Sequence, residues 1–297
     1  MLWLPRLTAA AIATGGACIA YGVFIERRWY RLRRIRVRDA LTDPSSGPLR
    51  VLHISDLHLD PPQRPLERFV RGLARERPDL VVCTGDVLGA AGAEDAAWEL
   101  LAELTEGGTP GVMVLGSNDL FGPTTKSYHH YVTDPDRRVY GERLDSDRLV
   151  RGLQKNGYSV LRDETVVIDT RAGRVAVGGV HDPHLKATVL PPRAAIACDE
   201  PDVVARLGLV HAPYTAALDL LVEGGYDVLF AGHTHGGQVR FPPFGAVIGN
   251  CDLPLDQIRG LSRWRSAWLH VSPGLGTSRY APFRFACRPE ATLLELT

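Results

Sequence analysis

Five short apolar runs, residues 51–55, 80–84, 112–115, 207–210 and 228–231, each close on a polar cluster. The clusters are Asp56-Leu57-His58, Gly85-Asp86, Gly116-Ser117-Asn118-Asp119, His211, and Gly232-His233-Thr234-His235-Gly236. Val-, Ile- and Leu-rich runs of this length read as buried strands. Such strands alternating with helical patterns read as an α/β fold, which gathers its chemistry at strand ends. Together the clusters supply enough Asp, Asn and His side chains for two divalent cations. One Asp-x-His or Gly-Asp alone is ordinarily a helix cap or a turn. Five in one chain, all closing apolar strands, are more than core packing or solvation produces. His233 and His235, two residues apart, would face the same side of an extended strand, and Gly232, Gly236 and Gly237 leave room for close backbone approach.

Helical periodicity fills the intervals. Residues 64–76 align Leu66, Phe69, Val70 and Leu73, and residues 94–105 align Ala97, Trp98, Leu101 and Leu104 before Gly107-Gly108. Residues 146–156 read as a helix capped by Ser146 and ended by Gly157, and 215–223 as another before Gly224-Gly225. Residues 158–161, 165–169 and 174–178 read as short strands, the last two joined at Ala172-Gly173. With 297 residues, 45% of them hydrophobic, the chain can bury the core of one α/β domain, assigned to residues 48–297. The 34 basic and 34 acidic side chains cancel, and no basic stripe interleaves with aromatics, so no nucleic-acid partner is expected. Five cysteines without Cys-x-x-Cys spacing read as reduced thiols.

Residues 1–40 form a separate unit in this reading. Residues 7–25 are a run of 19 without charge, long enough for a membrane helix but rich in Ala, Thr and Gly. Arg27, Arg28, Arg31, Arg33, Arg34, Arg36 and Arg38 follow, which by the positive-inside rule predicts a single-pass anchor in the cell membrane with the catalytic domain on the cytoplasmic face. A cleavable secretory signal expects its positive charge before the apolar run. Trp29 and Tyr30 suit a membrane interface, and the stretch to Val37 also reads as an edge strand; both readings stand together.

The order Asp-x-His, Gly-Asp, Gly-Asn-His-(Asp/Glu), His, Gly-His-x-His resembles the signature of the calcineurin-like metallophosphoesterases. It stands here at residues 53–58, 84–86, 116–119, 210–213 and 232–238. Ser272-Pro273-Gly274-Leu275-Gly276-Thr277-Ser278 and Arg288-Pro289-Glu290 resemble the end of the YkuE-like, membrane-associated bacterial branch. The resemblance implies a four-layer sandwich of two mixed β-sheets flanked by helices. It implies Asp86 bridging two cations, with Asp56, His58 and His235 completing one site and Asn118, His211 and His233 the other. Manganese, iron and zinc all suit these ligands. Two cations ~3.5–4 Å apart activate a shared water and clamp phosphate oxygens for in-line attack.

One position departs from the family pattern. The His that commonly follows Gly-Asn, near the leaving-group oxygen, is missing from Gly116-Ser117-Asn118-Asp119. Aligned without a gap, Ser117 takes the ligand position; shifted by one, Asn118 keeps it and Asp119 takes the His slot. Asn118 is favoured because an amide oxygen binds metal better than a neutral hydroxyl. Without the usual proton donor, anhydrides and aryl or nucleotide diesters should outpace alkyl monoesters, since general acid help is worth roughly 10²–10⁴ in rate. His181 and His184 are substitute donors or parts of a capped turn. Arg279 and Arg284 are phosphate or headgroup ligands or ordinary surface arginines. Residues 121–145, with Tyr128, His129, His130 and Tyr131, are a substrate-covering insertion or a surface excursion. Three functions follow: a phosphoesterase on a lipid-linked phosphate or pyrophosphate, the same chemistry on a soluble nucleotide or diester, and a non-catalytic scaffold.

Overall fold

The computed structural model describes residues 3–124, 140–185 and 189–297, so Tyr128, His129, His130 and Tyr131 lie outside the described residues. In chain order the strands of the first half are β1 (Arg31–Val37), β2 (Leu49–Ile54), β3 (Leu80–Cys83), β4 (Gly111–Val114), β5 (Tyr158–Leu161), β6 (Glu164–Thr170) and β7 (Gly173–Val180). They continue with β8 (Ala205–Val210), β9 (Val228–Ala231), β10 (Arg240–Phe241), β11 (Gly245–Ala246), β12 (Gly260–Trp264), β13 (Ala267–Val271) and β14 (Glu290–Leu296). One six-stranded sheet has the order β1-β14-β2-β3-β4-β5, the other β12-β13-β9-β8-β7-β6. Both are mixed. β2 to β5 are parallel, while β14 runs antiparallel to β2 and parallel to β1. In the second sheet β7, β8, β9 and β13 are parallel, with β6 and β12 antiparallel to their neighbours.

Alternation explains why the central strands are apolar throughout. Leu49 and Val51 of β2 face the second sheet, in a layer with Val82, Val112, Val177, Leu207, Leu209, Val228 and Phe230. Leu52 and Ile54 face the other way, onto the helices Arg64–Leu73, Glu94–Ala102 and Ser146–Lys155 through Leu66, Val70, Ala97, Leu101, Leu149 and Leu153. Strands covered on both faces need apolar side chains at every position. The helix Thr215–Glu223 covers the second sheet with Ala217, Leu218 and Leu221. The layers are therefore helix, sheet, sheet, helix, as expected. Local differences are small: the first helix tightens into a 3₁₀ turn at Ala74–Glu76, and Asp145, not Ser146, caps the third by accepting the Arg148 N–H at 2.9 Å.

The expected leader needs correction. No helix among the described residues is long and apolar enough to cross a membrane, which overturns the single-pass anchor and the cytoplasmic placement built on it. The Ala-, Thr- and Gly-rich α-helix Trp3–Ala20 gives way to a π-turn at Tyr21–Ile25 and a 3₁₀ turn at Glu26–Arg28. That turn is docked on the domain. Gly22 lies so close to Phe283 and the Arg284 carbonyl that a Cβ there would collide with both, and Tyr21 meets Phe285 edge-on at 6.4 Å. Glu26, 2% exposed, accepts the N–H groups of Ala286 and Cys287 at 2.9 and 2.6 Å.

Part of the basic cluster is likewise taken up by the fold. β1 pairs with β14 from Arg31 opposite Glu290 to Val37 opposite Leu296, so the sheet extends well before residue 48. Arg31 pairs with buried Glu290, Arg34 with Glu76 and Arg36 with Glu295. Tyr30 stacks on Phe69 at 5.3 Å, and the Arg288 guanidinium lies 3.9 Å over the Trp29 ring. Glu26→Ala leaves two backbone N–H groups without their carboxylate, so unfolding free energy in a denaturant titration should fall by roughly 1–3 kcal/mol. Arg36→Ala, which breaks an exposed pair, should change it far less.

Candidate metal centre

The parallel strands of both sheets deliver their carboxyl ends to one edge. Asp56 follows β2, Asp86 follows β3 and Asn118 follows β4; His211 follows β8 and His233 follows β9. Backbone strain collects there. Asp56, His58, Asp86, His233 and His235 all adopt positive φ, at 50°, 44°, 53°, 67° and 49°. Side chains other than Gly reach this left-handed region only at a cost, and such residues concentrate at functional sites. His233 and His235 therefore do not share one side of an extended strand. Asp56 draws the His233 N–H onto both its oxygens at 3.1 Å, and Thr234 N–H turns back to the Gly232 carbonyl at 2.7 Å. Only Gly fits at 232, since a Cβ would collide with Ser55 Oγ.

Two groups of ligand atoms result, each with its atoms within 4.8 Å of one another: Asp56, His58 and His235, and Asp56, Asp86 and His211. In the first, His58 Nε2 lies 3.1 Å from His235 Nε2, and His235 Nε2 lies 3.6 Å from Asp56 Oδ1. In the second, His211 Nδ1 donates to the Thr84 carbonyl at 2.6 Å, which turns Nε2 toward Asp86 Oδ2 at 3.3 Å. That buried Nε2 has no aligned hydrogen-bond partner. The His233 ring stands apart from both groups. Its Nε2 is 3.1 Å from the Asn250 carbonyl and 3.0 Å from the Asn250 amide nitrogen, and it packs at 4.3 Å on His184.

The electrostatics fit divalent cations. Burial pushes the Asp56 carboxyl up to about 7, with Asp86 adding to the effect against His211. Burial also opposes ionisation of Asp86, but His211, His58 and the Asn118 N–H outweigh it and hold that carboxyl well below its ordinary value. His211 is disfavoured as a cation by burial, yet Asp86 and Asp182 hold its ring well above the usual imidazole range. Two buried carboxylates beside buried imidazoles, one with an unpaired nitrogen, make a donor set that positive charge would complete.

The remaining expected residues divide. Asn118 sits on Asp86, its backbone N–H 2.8 Å from Oδ1 and its side-chain Nδ2 2.6 Å from Oδ2. Asp119 does not take a proton-donor position. Its carboxylate, 0% exposed, accepts the N–H groups of Gly116, Asp86, Val87 and Leu88 at 2.7–3.0 Å, so it clamps the Asp86 loop to the β4 loop. His184 lines the wall beside His233, with Nδ1 3.1 Å from the Tyr214 hydroxyl. His181 is half-buried on the same loop, its N–H on Asp163 at 2.7 Å. Arg284 is no surface arginine. It is 0% exposed, and its guanidinium binds the carbonyls of Pro273, Gly276 and Cys287 at 2.8, 2.7 and 3.2 Å, with Nη2 3.3 Å from His235 Nδ1. It braces the loop behind His235. Arg279 pairs with Asp60 at the surface.

Sequence reasoning missed Asp182, Asn250, His53 and His270. Asp182 is buried beside His211, and Asn250 holds His233. Asp182 sits between His181 and His184, and His53 opens the matched residues 53–58, two residues before Ser55 on the same strand face. Those were the available signals; Asn250 and His270 carry none.

A calcineurin-like phosphoesterase family profile matches residues 49–237. The chain is 29% identical over 299 residues to Phosphodiesterase YaeI of Escherichia coli, covering 98% of this chain and 97% of that one. It is 28% identical over 262 residues to the metallophosphoesterase YkoQ of Bacillus subtilis, covering 85% of each. To the metallophosphoesterase YkuE of the same organism it is 24% identical over 296 residues, covering 98% of this chain and 93% of that one.

Asp119→Asn turns an amide NH₂ toward backbone donors. Unfolding free energy should drop by roughly 1–3 kcal/mol in a denaturant titration. Unchanged stability with lost turnover would return Asp119 to the chemistry.

Proposed function

We propose that this chain, which belongs to the calcineurin-like phosphoesterase family of metal-dependent phosphoester hydrolases, cleaves phosphodiesters and phosphoric anhydrides with good leaving groups at a two-cation site. Asp56, His58, Asp86, Asn118, His211, His233 and His235 form that site. The observation that carries the reading is the pair of ligand groups sharing Asp56, four of whose five residues, Asp56, His58, Asp86 and His235, are held in left-handed backbone at the joined edge of both sheets. Bound divalent cations supply charge neutralisation at the phosphate oxygens and a water acidic enough to attack at neutral pH.

The protein's own part is placement. Asp86 would serve both cations, a role supported by its Oδ2 lying 3.8 Å from His58 Nε2 and 3.3 Å from His211 Nε2. Thr84 fixes the His211 ring through Nδ1, leaving Nε2 for ligation, the arrangement that orients an imidazole ligand. Asn118, whose side-chain Nδ2 is on Asp86 Oδ2 at 2.6 Å, would offer its amide oxygen to a cation there. His184, packed on His233, is a second imidazole that borders the site without belonging to either ligand group.

The leaving-group preference follows from the 116–119 turn. No imidazole follows Gly116, and Asp119 spends its oxygens on backbone N–H groups, so departure of an alkoxide goes unassisted from this side. The name of the E. coli relative points the same way, toward diesters. A lipid-linked or a soluble substrate satisfies the same chemistry; stimulation by detergent micelles marks the first.

Metal removal should abolish hydrolysis of an aryl phosphodiester by the full chain, and manganese should restore it. Asp86→Ala should stay inactive and bind fewer than the two ions per chain expected of the wild type by elemental analysis. Two bound ions without turnover of any phosphoester would favour the scaffold. With metal restored, an anhydride or aryl diester should turn over roughly 10²-fold or more faster than an alkyl monoester; equal rates would sink the leaving-group argument.

A further inference from the structure

We infer that His270, His53, Thr84 and Ser55 form a one-way chain of hydrogen bonds that fixes the Asp56 carboxylate in its ligating orientation, making His53 and Thr84 positioning residues of the metal centre. The inference rests on the reading of Asp56 as a cation ligand. All five residues are at most 1% exposed. His270 Nδ1 lies 2.8 Å from His53 Nδ1, His53 Nε2 lies 2.9 Å from Thr84 Oγ1, and Thr84 Oγ1 lies 2.8 Å from Ser55 Oγ. Ser55 Oγ closes the chain at 2.5 Å from Asp56 Oδ2.

The direction of every link follows from its last member. An ionised carboxylate only accepts, so Ser55 must donate to Asp56 and accept from Thr84. With its single hydrogen given to Ser55, the Thr84 hydroxyl accepts from His53 Nε2. A neutral His53 protonated at Nε2 presents a lone pair at Nδ1, which takes the proton of His270 Nδ1. Burial keeps both rings neutral, lowering His53 well below its ordinary value and His270 to about 3.

Position shows that this is more than a pin between sheets. His53 projects from β2 and His270 from β13, into a layer otherwise lined by Val, Leu and Phe230, whose ring meets His53 edge-on at 5.1 Å. Buried polar groups there cost free energy unless bonded, and the chain leads from that layer to one oxygen of one ligand. Oδ2 is held by Ser55, while Oδ1 is the oxygen 3.6 Å from His235 Nε2. Hydrogen bonds behind a ligand of this kind set its orientation and basicity.

The test uses the full chain. Nitrogen-15 histidine spectra without metal, taken at a pH well above the value of about 7 to which burial pushes the Asp56 carboxyl so that it is ionised, should show His53 protonated at Nε2 and His270 at Nδ1. Manganese titration by calorimetry should give Thr84→Val an affinity roughly 10–100-fold weaker than wild type, with Thr84→Ser restoring most of it. Val keeps the volume of Thr and removes only the hydroxyl. Wild-type affinity in a folded Thr84→Val overturns the inference. So does a His53 proton at Nδ1, which decides the matter even where Thr84→Val does not fold. A wild-type chain that takes up no manganese defeats the ligand reading itself, a result the two variants cannot mimic.

Discussion

Both oxygens of Asp56 accept the backbone N–H of His233, and through that contact the end of β2 in one sheet holds the end of β9 in the other. A buried carboxylate has to be bonded on every side or neutralised, so the chain folds around it. Ser55 and Asp56 offer their carbonyls to the N–H groups of Leu275 and Gly276 at 3.0 and 2.6 Å, which brings the 273–276 loop against the site. Arg284 then grips that loop from behind, and Glu26 grips the segment just beyond Arg284. Each layer outward satisfies polar groups that the layer inside it left open. Asp119 does the same on the other flank, tying the Asp86 loop to Gly116.

The parallel strands were legible because they are covered on both faces, which makes most positions apolar and ends the run where the chain meets polar neighbours. β3 and β9 fall within a residue of the runs 80–84 and 228–231 for that reason. The gathering of Asp56, His58, Asp86, His211 and His235 at one edge was legible too, since each stands just past the end of a buried strand. The helices showed through their period, although Asp145 rather than Ser146 caps the third, because local side chains compete for the same N–H groups.

What stayed hidden depends on partners far along the chain. Nothing local says that an uncharged run will wind into a π-turn against Phe283, or that Arg31, Arg34 and Arg36 will find Glu290, Glu76 and Glu295. Charge counting treats these arginines as free, and they are not. Arg284 reads as a surface cation by type, yet four backbone carbonyls enclose it. The left-handed turns at His233 and His235 were equally invisible, because the carboxylate that bends them belongs to Asp56, 177 residues earlier.

The position of β14 between β1 and β2 has a consequence for the order in which this molecule can assemble. During N-to-C synthesis β2, β3 and β4 can pair as they emerge, but β1 has no neighbour in its sheet until Glu290 arrives, 259 residues after Arg31. Until then β2 is itself an open edge, and the contacts that must close are among the least local a chain of this size can make. The same late segment carries Arg284 and the backbone partners of Glu26. A ribosome-bound chain therefore holds every residue of both ligand groups long before the scaffold that steadies them exists, and cations that arrive early meet a half-built cage.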